Sequence, residues 1–196
     1  MKKTILTLIA FAFVLSSCES KEEKTDEKKK TTVEISTDGF LDFNNEIVSN
    51  VDAAQLILAS LAELDDKNVP ASEMEIAADA AKNDAKAILN NIQALAPLGK
   101  GGPEYHTAAI AFMNEVINLS QVYRDFAVTL SITEGEWNEL QVQEWLNLAE
   151  PVFLDYQDSF KYLGTMQGNY AAYQNIEINP MAPEEEEEII SEEVVI

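Results

Sequence analysis

The chain has 196 residues, a net charge of −22 and a hydrophobic fraction of 46%. It contains only 7 glycines and 6 prolines, so one packed domain is expected and general disorder is not. A protein this acidic is repelled by the phosphate backbone, which excludes nucleic-acid binding. Its charge suits a solvated surface, or a basic protein or cationic ligand as partner.

The N-terminal residues have the three parts of a secretory signal. Lys2 and Lys3 form the positive region, and an apolar run follows over residues 5–15. Residues 15–18, with the sequence Leu-Ser-Ser-Cys, read as a lipobox. Cys18 is the only cysteine of the chain, and we expect it to become the first mature residue and to carry a diacylglyceryl group.

Two other interpretations of this segment are weaker. A membrane-spanning helix needs about 20 apolar residues, and the run is shorter. A cleaved signal without lipid leaves Cys18 at the cleavage site unexplained. The sequence therefore predicts a signal peptide over residues 1–17 and a lipid anchor in the outer membrane. Two acyl chains, such as palmitate, suffice for stable anchoring, so no membrane-spanning helix is expected in the mature chain.

The residues after Cys18 contain a second candidate localisation signal. Lys21, Glu22 and Glu23 resemble the lysine-then-two-acids signal that sends Bacteroidetes lipoproteins to the cell surface. The alternative is an ordinary charged tether. Residues 18–37 are rich in lysine, glutamate and threonine, so they are predicted to form a lipidated flexible tether.

Residues 38–176 show the apolar pattern of a helical bundle. Apolar side chains recur at alternating steps of three and four, which places them on one face of an α-helix, and no segment alternates with a period of two. The four segments with this pattern are Phe40, Phe43, Ile47, Val51, Ala54, Leu58 and Leu61; Met74, Ala77, Ala81, Ala85, Ile88, Ile92 and Leu95; Tyr105, Ala109, Phe112, Val116, Leu119, Tyr123, Phe126 and Leu130; and Trp145, Leu148, Val152, Tyr156, Ser159, Leu163, Met166 and Tyr170. Their short connections predict an all-α, antiparallel up-down-up-down four-helix bundle, in which the alanine-rich second helix packs closest to its neighbours.

The fourth segment is interrupted by proline. Pro151 lacks an N–H and clashes with the carbonyl four residues before it, so a kink or break of the helix is expected there. We expect a shorter helix that carries Trp137 and Trp145, then a longer one from about Pro151. Residues 177–196 include five adjacent glutamates and are predicted to form an acidic disordered tail.

No residue pattern indicates catalysis. His106 is the only histidine and is expected to be an ordinary exposed residue in the first turn of the third helix, while Cys18 is used by the lipid. The glycine-rich segment 99–102 lacks the Ser or Thr of a phosphate-binding loop and reads as a helix hairpin turn. The sequence therefore predicts that the protein is not an enzyme and has no metal site and no cofactor.

Aromatic residues of the fourth segment are the remaining candidates for a site. Trp137 and Trp145 lie eight residues apart on a helix, and Tyr156 continues the aromatic enrichment. The simpler interpretation is a packing surface. The alternative is a binding cleft that the Pro151 break opens between helices.

The layout of residues 40–178 resembles a family of small, uncharacterised helical surface lipoproteins of Bacteroidetes and spirochaetes. The resemblance implies a lipid-anchored helical domain and brings no catalytic residues. The motifs that carry it are Phe43-Asn44-Asn45-Glu46-Ile47-Val48, Leu95-Ala96-Pro97-Leu98 and Tyr170-Ala171-Ala172-Tyr173-Gln174-Asn175-Ile176.

The sequence thus favours a lipid-anchored envelope lipoprotein, exposed at the cell surface, with a non-enzymatic binding or structural role. The alternative is an acidic inhibitor or immunity-type lipoprotein that neutralises a basic toxin or enzyme. The sequence names neither a partner nor an oligomeric state.

Overall fold

A computed structural model describes residues 37–67, 69–132 and 139–181. Four α-helices and no strand are found in this part of the chain, and neighbouring helices pack against one another. The predicted all-α fold of four helices is therefore confirmed. The bounds of the helices are α1 Thr37–Asp66, α2 Ala71–Ala94, α3 Gly102–Ile132 and α4 Glu139–Gln174.

Helix α3 lies at the centre of the packing and contacts each of the other three helices. The main core is continuous, and all four helices contribute fully buried side chains to it. Ile47 of α1, Ile92 of α2, Phe112 of α3 and Leu163 of α4 are examples. A buried stripe on every helix is what the spacing of three and four predicts.

Helices α2 and α3 make the most extensive contact between any two helices. Ala78, Ala81 and Ala85 are buried on α2, and Ala108 and Ala109 are buried on α3. Methyl side chains let two helix backbones approach closely, because little volume has to fit between them. The contact of the alanine-rich α2 with α3 is thus the most extensive in the bundle, and the expectation that α2 packs closest to its neighbours stays a prediction.

The turn between α2 and α3 needs two glycines. Gly99 has φ 76° and Gly101 has φ 80°, values that side chains with a Cβ rarely adopt. A Cβ on Gly99 would also lie 2.7 Å from a ring carbon of Phe40, and a Cβ on Gly101 would lie 2.8 Å from the ring of Tyr173. The segment 99–102 is therefore a tight turn between α2 and α3, and it is closely covered by residues of α1 and α4.

Helix α4 ends in a left-handed residue. Asn175 has φ 53°, and the N–H of Ile176 donates to the carbonyl of Ala171 at 3.1 Å. This hydrogen bond across a left-handed residue is the Schellman arrangement, which turns the chain back over the helix. The chain after Asn175 is thereby directed towards the bundle.

Helix α4 continues through Pro151, so a break there is wrong, and the alternative of a kink stays a prediction. Pro151 is exposed and lies on the side of α4 that faces away from the core. The carbonyl of Asn147 loses its helical donor at this position, but Asn147 is also exposed and water can satisfy that carbonyl. A proline on the outer face of a helix therefore leaves no buried group unpaired.

One predicted core position of α4 is wrong. Leu148 is 73% exposed, and the neighbouring Ala149 is buried in its place. The inward stripe of α4 contains Trp145, Ala149, the half-buried Val152 and Tyr156, so its steps are four, three and four where the prediction had three, four and four. Leu148 is therefore left on the outside of the bundle.

Helix α1 is long and apolar enough to cross a membrane by length and composition alone, and a core helix passes the same test. Its buried side chains, among them Val51, Ala54 and Leu58, belong to the main core. The sequence raised no such candidate after residue 17. In this fold the apolar character of α1 is used to pack against α2 and α3.

Candidate functional site

The predicted lipidation and export residues lie outside the described part of the chain. Cys18, Lys21, Glu22 and Glu23 precede Thr37, the first described residue. Trp137 lies between α3 and α4 and is also outside it. These assignments stay predictions.

The two described aromatic residues of the predicted cleft, Trp145 and Tyr156, belong to two separate core clusters. Trp145 packs on Phe126 with ring centroids 4.9 Å apart in a small cluster. Tyr156 packs on Phe112 with centroids 5.5 Å apart in the main core. Trp145 is 9% exposed and Tyr156 is 7% exposed, and Pro151 lies between them in sequence on the outer surface. Both aromatic side chains are thus used in packing, and binding at Pro151 stays a prediction.

The polar end of Tyr156 lies inside the bundle. The side chain of Gln55 on α1 is beside its hydroxyl and partly offsets the effect of burial on the pKa. Burial raises the pKa of Tyr156 to about 12, so the phenol is neutral at physiological pH. The pair is a polar contact between α1 and α4, and it leaves no ionised phenolate for chemistry.

A buried polar network joins α1, α3 and α4. The side-chain oxygen of Asn44 accepts a hydrogen bond from the Tyr105 hydroxyl at 3.3 Å and another from Nε2 of Gln167 at 3.1 Å. Asn44 is 3% exposed, and Gln167 and Tyr105 are fully buried. Buried polar side chains are costly unless they are paired, so this network fixes how the three helices meet.

The sequence argument missed this network, although a signal was present. Asn44 falls between the core residues Phe43 and Ile47, and Gln167 falls between Leu163 and Tyr170. A polar residue in phase with a buried stripe points to an internal hydrogen bond. The partner across the bundle, Tyr105, could not be identified without the packing of the helices.

Gln167 also holds the chain that follows α4. Its Nε2 donates to the carbonyl of Asn179 at 3.3 Å, and its Oε1 accepts from the N–H of Met181 at 2.9 Å. Residues 177–181, which the sequence assigned to the disordered tail, therefore contact the bundle. Residues 182–196 of that predicted tail lie outside the described part of the chain.

A cleft of about 390 Å³ lies between α1 and the segment that follows α4. It is open on one side, and three asparagines and a glutamate supply its polar groups. The amides can donate and accept hydrogen bonds but are neither nucleophiles nor bases at neutral pH, and Glu177 is the one carboxylate in the lining. The residues that line the cleft are Leu41, Asn44, Asn45, Val48, Glu177, Ile178 and Asn179.

His106 is not the ordinary exposed residue that the sequence predicted. Its Nε2 lies 2.7 Å from the carbonyl oxygen of Ile92, near the C-terminal end of α2. A carbonyl only accepts, so Nε2 carries the hydrogen. The ring also packs at 6.5 Å from the ring of Phe43. The Ile92 carbonyl also accepts from the N–H of Leu95 at 3.0 Å, so His106 adds a second donor at the end of α2 and ties α3 to it.

Three terminal parts of the bundle meet at one end, which we call the basal end. The hydroxyl of Tyr170 on α4 donates to the carbonyl of Phe40 on α1 at 3.3 Å. Nε2 of Gln174 donates to the carbonyl of Lys100 in the α2–α3 turn at 2.7 Å, and Nζ of Lys100 lies 4.1 Å from the ring centre of Tyr173. The start of α1, the α2–α3 turn and the end of α4 are thereby tied together.

Carboxylates are concentrated towards the last turn of α1. Burial, followed by the charge of Asp66, raises the pKa of Asp65 to about 6.

Arg124, the only arginine in the chain, pairs with Asp79 at 2.8 Å and with Glu75 at 3.2 Å across α2 and α3. In the described residues no group of three or more His, Cys, Asp or Glu side chains is arranged to hold a metal ion.

Comparisons with protein families, with curated proteins and with solved structures find no match for this chain. The resemblance to helical surface lipoproteins therefore stays a prediction.

Proposed function

We propose that this protein is a lipid-anchored envelope lipoprotein of the outer membrane, displayed at the cell surface, whose helical bundle has a non-enzymatic binding or structural role. The observation that carries the proposal is the Leu-Ser-Ser-Cys segment at residues 15–18, directly after an apolar run of signal-peptide length. Its cysteine is the only one in the chain, so no disulfide competes for the sulfur.

The arrangement of the helices supports display on a tether. We infer an antiparallel up-down-up-down bundle, because the start of α1, the α2–α3 turn and the end of α4 make hydrogen bonds at the basal end. We also expect α4 to bend at Pro151, because a proline inside a helix removes one backbone hydrogen bond. The tether reaches the bundle at Thr37, which lies in this end. A lipid at Cys18 would therefore hold the basal end towards the membrane and leave the opposite end outermost.

The use of the buried polar groups supports a role without catalysis. Asn44 and Gln167 form hydrogen bonds within the bundle, and His106 donates a hydrogen bond to a backbone carbonyl. A general base or nucleophile has to point at a substrate with a reactive atom free. These three side chains instead stabilise the fold.

The substitution Cys18→Ala tests the anchor. The variant has no thiol to receive lipid, so we expect it to leave the membrane fraction or to persist as uncleaved precursor. Fractionation of native-host cells fed labelled palmitate measures both effects. Ser20→Ala, two residues away, is the matched control and should keep label and membrane association. Normal processing and membrane retention of Cys18→Ala would refute the lipoprotein assignment.

The predicted surface-export signal is tested by a separate experiment. Replacing Lys21, Glu22 and Glu23 by alanine should move the protein to the periplasmic face of the outer membrane, with the lipid retained. Protease accessibility on intact cells is the readout. The matched control replaces Asp26, Glu27 and Lys28 by alanine, which removes the same charges from the same tether. Equal accessibility of the two variants would show that the first triplet is only part of the tether.

The charge favours a second candidate, an acidic inhibitor or immunity-type lipoprotein that neutralises a basic toxin or enzyme. The net charge is −22, because 35 acidic residues stand against 13 lysines and arginines, so most carboxylates have no basic side chain of the same chain to pair with. Many carboxylates are therefore left for a basic partner. Complex formation that weakens steeply with salt would distinguish this candidate from a structural role.

A further inference from the structure

The outward side of α4 carries large apolar side chains that the bundle does not cover. Leu140 is 67% exposed, Leu148 73%, Leu154 50% and Tyr162 53%. Single exposed leucines are common on proteins, but a row of them on one helix marks an interaction surface.

These four residues share one face of the helix. At 100° per residue they fall within an arc of about 120°, and at 1.5 Å per residue the row is about 33 Å long. We call this row the outer leucine face. Pro151 lies within the same arc and is exposed, so the position at which α4 lacks one internal hydrogen bond is also on this face.

Carboxylates are interleaved with the leucines. Glu144, Asp155 and Asp158 fall within the same arc of α4 and are exposed. None of the three forms an ion pair with another described residue. The outer leucine face therefore combines apolar contact area with negative charge.

The combination of apolar side chains and carboxylates indicates which kind of partner can bind the outer leucine face. A second copy of the chain would bring its own carboxylates against these, in a protein with a net charge of −22. The five adjacent glutamates of residues 184–188 would be repelled in the same way. A cationic amphipathic helix instead places leucine-like side chains on the leucines and lysine or arginine on the carboxylates.

We propose that the outer leucine face docks a basic amphipathic helix of a partner protein. The proposal rests on the proposed binding role and names the chemistry of its partner. The apolar side chains of that helix recur every three or four residues and pack along α4. Its basic side chains flank the apolar row, where they meet Glu144, Asp155 and Asp158.

The test uses a synthetic helical peptide of about 22 residues, the length that matches the row at 1.5 Å per residue. Its leucines recur at steps of three and four, and its other positions are lysine. A second peptide has glutamate in place of every lysine. Fluorescence anisotropy measures the Kd of each peptide for residues 18–196 carrying Cys18→Ser, which retain the whole bundle and both terminal segments. We expect binding of the lysine peptide and none of the glutamate peptide.

Substitutions locate the binding. Leu148→Ser with Leu154→Ser should raise the Kd of the lysine peptide about tenfold, because buried apolar anchors carry most of the affinity in such contacts. The matched control is Leu56→Ser with Ile76→Ser, at side chains that are 56% and 72% exposed on α1 and α2. The control should stay within about twofold of the unsubstituted chain.

A third variant tests the charges. Glu144→Gln with Asp158→Asn should weaken binding about threefold at low salt and reduce its salt dependence. Unfolding curves of all variants check that the bundle is intact. No binding of the lysine peptide, equal binding of the glutamate peptide, or equal loss in the control pair would each overturn the proposal. A dimer that dissociates when Leu148 and Leu154 are replaced would overturn it in favour of a second copy.

The outcome is separable from that of the lipid anchor. Failure of the peptide experiment leaves the Cys18 fractionation result unchanged. Loss of the lipoprotein assignment equally leaves peptide binding to the purified chain unchanged. The two experiments therefore report on the two proposals independently.

Discussion

Helices α2 and α4 both pack on α3, but α2 does so with small side chains and α4 with large aromatic ones. The α2–α3 contact buries alanines, whereas the α3–α4 contact buries aromatic rings: Phe112 with Tyr156 and Phe160, and Phe126 with Trp145. The outer sides also differ. One large apolar side chain, Ile76, is more than half exposed on α2, while α4 exposes a row of them.

The difference shows which apolar side chains the bundle buries and which it leaves exposed. Small side chains on α2 fill a close interface and leave an outer side that is mostly polar. On α4, large rings already fill the space against α3, so the leucines one position out of phase cannot be accommodated inside. Helix α4 therefore has more apolar surface than the fold uses, and α2 does not.

The largest expected effect comes from the aromatic contact. Phe112 is fully buried, and its ring lies 5.5 Å from that of Tyr156 and 5.4 Å from that of Phe160. Phe112→Ala should lower the free energy of unfolding by about 3–5 kcal/mol, through lost burial and a residual cavity. Urea unfolding measures this. Tyr162→Ala, an aromatic truncation on the exposed side of α4, should change it by less than about 0.5 kcal/mol. Equal effects would mean that the assigned inner and outer sides of α4 are wrong.

The alanine contact is broken by adding volume. Ala85 is fully buried on α2, so Ala85→Leu should force α2 away from its neighbours and cost about 1–3 kcal/mol. Ala87→Leu makes the same change on the exposed side of α2 and should be close to neutral. Thermal or urea unfolding compares the two variants. A stabilising effect of Ala85→Leu would show that the α2 interface is loosely packed.

The smallest of the destabilising changes lies at His106. Loss of its hydrogen bond to the Ile92 carbonyl should cost about 1 kcal/mol, a typical net contribution of one hydrogen bond. His106→Ala in the same unfolding experiment measures this cost. The exposed Asn91→Ala on α2 is the control and should be neutral. Neutrality of His106→Ala would restore the sequence-based expectation that this histidine is an ordinary surface residue.

The sequence predicts the helices better than their contacts. The spacing of Ile47, Val51 and Leu58 correctly gave a buried stripe because periodicity is a local property. Leu148 was misassigned because the choice between it and Ala149 depends on how much room Trp145 and Phe126 leave. The role of His106 was missed for the same reason, since its partner lies on another helix.

The candidate site shows the same limit. Asn44 and Gln167 stand out in sequence only as polar residues in an apolar phase, and their hydrogen bond joins positions far apart in the chain. The segment 177–181 was assigned to the acidic tail from composition, which carries no information about Gln167. The composition of a segment indicates how much apolar surface it can bury, but it does not identify the side chains that the segment contacts in the fold.

The central claim is that the leucines on the outer side of α4 serve a partner and not the fold. Urea unfolding of Leu148→Ser with Leu154→Ser, in residues 18–196 carrying Cys18→Ser, tests this most directly. We expect the free energy of unfolding to stay within about 0.5 kcal/mol of the unsubstituted chain, because both side chains are at least half exposed. A loss of about 2 kcal/mol or more would show that these leucines are part of the core, and would contradict the claim.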